Sequence, residues 1–157
     1  MNMRPWHAIL AGGLIAGTLD IIYAIVWVGM YGRSPQWVLQ SVASGWLGKD
    51  AFSGGWTSAA LGLASHYGIS LCAAAIFVVA SRRLTALARH WIVAGALYGM
   101  GVYLVMSYVV VPLSAATLRY PSLPAVLQGF VSHALLFGLP IAFFARRPRP
   151  GTDPTFL

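Results

Sequence analysis

Four long stretches of the chain carry almost only apolar side chains, and the polar residues gather between them and at the two ends. They run over roughly 8–31, 57–81, 91–113 and 124–145. Each is long enough to cross a hydrocarbon core of ~30 Å, which takes about 20 residues in a helix. The pattern predicts an all-α, polytopic membrane protein. Its domain, residues 1–146, is a single bundle of four transmembrane helices. The first stretch follows "MNMR", a short basic lead, but exceeds the ~7–15 residues of a signal-peptide core and lacks a small-residue cleavage site. It is expected to be a retained span.

Between the first two stretches, "SPQWVLQSVASGWLG" begins with Ser34 as an N-cap and Pro35 at the first helical position. A short amphipathic helix over about 35–47 follows, with Val38, Val42 and Trp46 on one face and Gln40, Ser41 and Ser44 largely elsewhere. This helix is read as interfacial, either a lid or a surface helix anchored by Trp37 and Trp46. The later connection "SAATLRYPSLP" reads as a simple turn. The end, residues 147–157, "RPRPGTDPTFL", is rich in Pro and polar residues and is expected to be a disordered cytoplasmic tail.

Two resemblances within the chain add to this. "HAILAGGLIAG" from His7 parallels "HWIVAGALYGM" from His90, and "GLASH" (62–66) parallels "GFVSH" (129–133). The second and fourth stretches each end in paired arginines, Arg82-Arg83 and Arg146-Arg147. The expected unit is a helical hairpin present twice, as two duplicated parallel hairpins related by an axis along the membrane normal.

Charge then sets orientation. Arg4, Arg82, Arg83, Arg89, Arg146, Arg147 and Arg149 fall on one side, and only Arg33, Lys49 and Arg119 on the other. Lys and Arg in short loops stay in the cytoplasm, so both termini are expected there, in a bacterial inner membrane. The net charge of +7 lies at membrane boundaries, where it meets lipid headgroups and calls for no nucleic acid. Cys72 falls inside the second stretch and reads as packing.

Candidate chemistry sits inside the spans. At 1.5 Å per residue, His66 and His133 lie about 14–15 Å from the outer side, and Asp20 and Tyr103 roughly 15–16 Å. The repeat pairs His66 with His133 and Asp20 with Tyr103. Small residues share their faces: Gly13, Ala16 and Ala24 with Asp20; Ala96, Gly99 and Ser107 with Tyr103; Ala59, Gly62, Ser70 and Ala73 with His66. A carboxylate at mid-bilayer costs ~2.5–3.5 kcal/mol on insertion scales, so Asp20 is expected to face inward toward His66, His133 or Tyr103, or to be protonated. The bland alternative is an interhelical hydrogen bond of about 0.6 kcal/mol that orients the helices.

Several chemistries fit a buried site of Asp20, His66, Tyr103 and His133. His66 and His133 as axial ligands of a haem b resemble the four-helix core of the cytochrome b family, whose ligands also come from the second and fourth helices. That family usually carries a second His on each ligand helix, which this chain lacks. A metal ion held by His66, His133 and Asp20 is a second reading, since two imidazoles and a carboxylate form a known ligand set. A proton or solute path, in a small oligomer, is a third. Tryptophan-rich sensory proteins share the Trp content but have five spans. In layout, the "HAILAGG" start and the His-bearing even spans resemble small four-span bacterial inner-membrane proteins of uncharacterised function.

No GxSxG, P-loop or CxxC is present, and the carboxylates number three, so an enzyme is not expected. The competing readings are a midplane binding protein, a conducting homo-oligomer, and an accessory subunit of a membrane complex.

Overall fold

The computed structural model describes residues 4–117 and 122–146. Part of the second outer connection and the 147–157 tail therefore lie outside the described residues. Among the described residues the chain is helical, without strands. Four helices are long and apolar enough to cross a membrane: Pro5–Gly29, Gly55–Arg83, Trp91–Leu113 and Leu123–Ala145, here called the first to fourth spans. A one-turn helix, Thr85–Arg89, links the second span to the third.

The spans pack antiparallel through close backbone approaches. The first meets the second where Gly13 lies against Leu71 and Ala74, and where Gly17 lies against Tyr67 and Ser70. It meets the fourth where Gly12 lies against Ile141 and Phe144. Third and fourth touch backbone to backbone at Gly95, Gly99 and Gly138, where a Cβ would collide with the opposite main chain. The second and third come together through Tyr98, whose hydroxyl donates to the Ala73 carbonyl at 2.7 Å and whose ring packs on Phe77 at 5.0 Å. The order around the bundle is second, first, fourth, third.

The buried centre combines Ala8, Ala16, Ala73, Ala74, Ala142 and Ala145 with Phe77, Val78, Phe137 and Ile141. Small side chains let helices approach closely, and dispersion and hydrogen bonds replace the hydrophobic drive that lipid removes. The antiparallel order places Arg4, Arg82, Arg83, Arg89 and Arg146 at one end of the bundle. There the Arg146 guanidinium lies 3.7 Å from the Phe143 ring centroid and 5.4 Å from that of Trp91, joining the end of the fourth span to the start of the third.

At the other end, Pro35–Leu47 is a 13-residue helix with Pro35 in its first turn. The Ser34 hydroxyl accepts from the Trp37 N–H at 3.1 Å and caps it. Gly48 stops it with φ +59°, a left-handed conformation that costs glycine little. A 3-10 turn, Gly48–Phe52, then returns the chain to the second span. The buried residues of this connecting helix are Val38, Gln40, Ala43 and Ser44, whereas Trp46 is 71% exposed. Of the residues expected to share a face, Val38 is buried, Val42 half-buried and Trp46 exposed. Gln40 turns inward because its amide donates to the Gly55 carbonyl at 3.0 Å and to the Ser58 hydroxyl at 3.3 Å.

Two spans are irregular. The third widens to a π-helix over Met106–Val110 and the fourth over His133–Gly138. Each segment lies just before a proline, Pro112 or Pro140. Proline lacks an N–H and its ring crowds the carbonyl four residues back, so the preceding turn opens.

Candidate functional site

Both mid-span histidines turn toward the first span, at neighbouring turns. His66 and Gly17 meet halfway along Pro5–Gly29: the imidazole Nε2 lies 2.8 Å from the Gly17 carbonyl oxygen. A carbonyl only accepts, so Nε2 carries the proton and donates. One turn away, the Ser70 hydroxyl donates to the Gly13 carbonyl at 2.7 Å. Tyr67 and Thr18 share a hydroxyl-hydroxyl bond of 2.8 Å beside them. Residues spaced four apart on the second span thus donate to carbonyls spaced four apart on the first, because both helices repeat every 3.6 residues.

His133 approaches from the fourth span. Its Nδ1 lies 3.1 Å from the Gly129 carbonyl, 3.4 Å from the Ser132 hydroxyl and 3.7 Å from Oδ1 of Asp20. The carbonyl again requires the proton on Nδ1, which then points between Gly129 and the Asp20 carboxylate. Asp20 and His133 keep 14% and 21% side-chain exposure. Tyr103, on the third span, is buried and lies edge-on to the His133 ring at 5.3 Å. The Tyr103 ring covers Gly129, where a side chain would have no room.

The structure therefore brings Asp20, His133 and Tyr103 together, one contributed by each of three spans. Gly17 and Asp20 are three residues apart, about 4.5 Å along the helix axis, so His66 and His133 reach the first span at nearly one level. Their settings differ: His66 donates across to the main chain of the first span, whereas His133 donates to Gly129 of its own span with the Asp20 carboxylate 3.7 Å away.

Among the described residues, no three His, Cys, Asp or Glu side chains gather into a group able to hold a metal ion. The ligand set of His66, His133 and Asp20 is thus not assembled. For a haem between His66 and His133, each imidazole would have to offer a nitrogen to the iron. In the structure Nε2 of His66 donates to the Gly17 carbonyl and Nδ1 of His133 to the Gly129 carbonyl, which leaves Nδ1 of His66 and Nε2 of His133 as the nitrogens with a lone pair.

Sequence reasoning did not anticipate the π-turn that begins at His133, a kind of turn frequent at functional sites. Pro140, seven residues on, is the signal that marks it. Neither did it anticipate Tyr67, Thr18 or the buried amide of Gln40. No family model matches this chain, and no curated protein or solved structure matches it either.

Proposed function

We propose that this chain is an integral membrane protein of the bacterial cytoplasmic membrane, with both termini cytoplasmic, that binds a small cationic ligand, the proton included, at a polar centre of Asp20, His133 and Tyr103. His66 sits beside this centre and locks the first span to the second. The observation that carries the reading is the Asp20 carboxylate, the one acidic side chain within the four spans, 3.7 Å from the His133 imidazole. A carboxylate in such surroundings is costly unless it has a partner, and an intramembrane acid paired with an imidazole defaults to function. The arginines gathered at one end of the bundle support the orientation. The "GLASH" and "GFVSH" pair and the shared antiparallel packing support an ancestral hairpin duplication. The connecting helix is proposed to lie at the outer interface.

One observation favours a second reading, an accessory subunit or homo-oligomer. The apolar window of the third span is only 6% buried, far below the 28–39% of the others, leaving a face for lipid or for another helix.

The test is thermal unfolding of the purified protein in detergent, with protons (about pH 5 to about pH 8, where imidazole titrates), Na+, K+ and Zn2+ varied one at a time. A ligand that binds only the folded state raises Tm. At least one should shift wild-type Tm, and Asp20→Asn and His133→Gln should both abolish that shift. Equal responses in wild type and both variants would sink the binding reading. Proton flux into liposomes that stops in Asp20→Asn would select conduction.

A further inference from the structure

The outer half of the bundle contains a window between the second and third spans. Its sill is the Tyr98 to Ala73 bond that ties these spans together. The connecting helix forms its lintel: Trp46 donates from Nε1 to the Ser65 hydroxyl of the second span at 3.0 Å, and the Gly45 carbonyl accepts from Ala115 N–H, just past the third span, at 3.0 Å. Between lintel and sill lies a cavity of about 730 Å³, within the ~300–1,000 Å³ of ligand pockets. Val42, Trp46, Ser65, Ile69, Met106 and Val109 line it, and the last two belong to the π-turn of the third span.

We propose that this cavity binds one acyl chain of a phospholipid from the leaflet on the side of the connecting helix. The inference rests on the membrane-spanning reading and is independent of the Asp20–His133 centre. Water is a poor occupant, because an ordered water needs two to four polar partners. The serines that line the cavity already use their hydroxyls on their own helices: Ser41 donates to Val38, Ser65 to Leu61 and Ser114 to Val111. Ser65 and Ser114 also accept, from Trp46 and from the Ala116 N–H. What remains is an apolar recess beside exposed Ile69, Val109 and Val110, and bilayer hydrocarbon is the medium that touches them. A spanning helix of a second copy, about 10–12 Å across, would meet the lintel at its outer end, whereas a single acyl chain passes beneath it. Exposed Trp46 stands at the rim, where an indole suits the boundary between headgroup and chain.

The test uses the full-length protein in vesicles of phosphatidylethanolamine and phosphatidylglycerol, doped with phosphatidylglycerol that carries a diazirine midway along one chain. After illumination, labelled positions are mapped by mass spectrometry. Labelling at Val42, Trp46, Met106 and Val109 is expected to exceed, several-fold, that at Val26, Leu127 and Val131, which are equally apolar, more than half exposed and in the same half of the bundle. Val109→Trp, which fills the cavity from an exposed position, should erase the excess and leave the label on Val26, Leu127 and Val131 unchanged. Uniform labelling of all lipid-facing positions would mean annular lipid only and overturn the proposal. So would protection of the cavity residues with cross-links between two copies, or an excess that survives in Val109→Trp.

Discussion

Replacing Gly138 with alanine should separate the third and fourth spans. A Cβ built there falls 2.7 Å from the Gly99 nitrogen, 0.7 Å inside the 3.4 Å at which ordinary contact begins, and closer still to the Gly95 carbonyl oxygen. The colliding atoms are main chain, so no side-chain rotation relieves them. The helices must move apart by about one ångström, a gap that forfeits about half of each dispersion contact it opens. Overpacking of this kind typically costs about 1–3 kcal/mol. Against it stands the better helix propensity of alanine, about 0.8–1 kcal/mol. A net loss of up to about 2 kcal/mol is therefore expected for Gly138→Ala, and a deficit of about 1–3 kcal/mol relative to an uncrowded glycine that gains the same propensity. The mirror substitution Gly99→Ala puts its Cβ against the His133 carbonyl and should cost a similar amount. Gly68 and Gly101 are the controls: each lies in a span with nothing within 4 Å of its Cβ position, so alanine there should be neutral or slightly stabilising. All four are compared by reversible unfolding in mixed micelles. Gly138→Ala as stable as Gly68→Ala would refute the claim that main-chain contact holds these spans together.

Three further outcomes follow from described contacts. Ser70→Ala, which removes the donor to the Gly13 carbonyl, should cost about 0.6 kcal/mol, with about 1.7 as the upper bound for such bonds in a bilayer, read from the same unfolding curves. Gln40→Ala leaves Gly55 and Ser58 without their amide donor and should loosen the connecting helix, detected as faster amide exchange over 38–47 with no change over the first span. Arg146→Gln removes the cation that stacks on Phe143 and Trp91, at a cost of about 0.5–1 kcal/mol for a partly exposed site; Arg146→Lys should restore part of it.

The spans are legible in sequence because hydropathy integrates over about 20 residues, and a few misplaced side chains do not change the sum. Depth is legible for the same reason: counting 1.5 Å per residue places Asp20, His133 and Tyr103 at one level, and the structure brings those three side chains together. Azimuth is not legible from counting. His66 has the same depth, yet its ring turns to the Gly17 carbonyl, an acceptor that every residue carries and that no sequence motif announces. The burial of Gln40 is hidden for the same reason: its partners, Gly55 and Ser58, lie fifteen and eighteen residues on. The π-turns shift helical phase near Pro112 and Pro140, so face assignments made with one fixed period drift in the third and fourth spans.

Those wide turns also bear on the history of the chain. A π-turn holds one more residue than the α-turn it replaces, so it acts as an insertion absorbed without lengthening a loop. The first and second spans contain none, while the third and fourth contain one each. If both hairpins descend from one ancestor, the later copy has slipped out of rotational step with the earlier one on each side of its bulges. The equivalent histidines then have no reason to see equivalent neighbours. A duplication that began by making two identical helical pairs would, through two prolines, have set one imidazole on a neighbouring span's carbonyl and left the other, bonded to its own span, beside an acid.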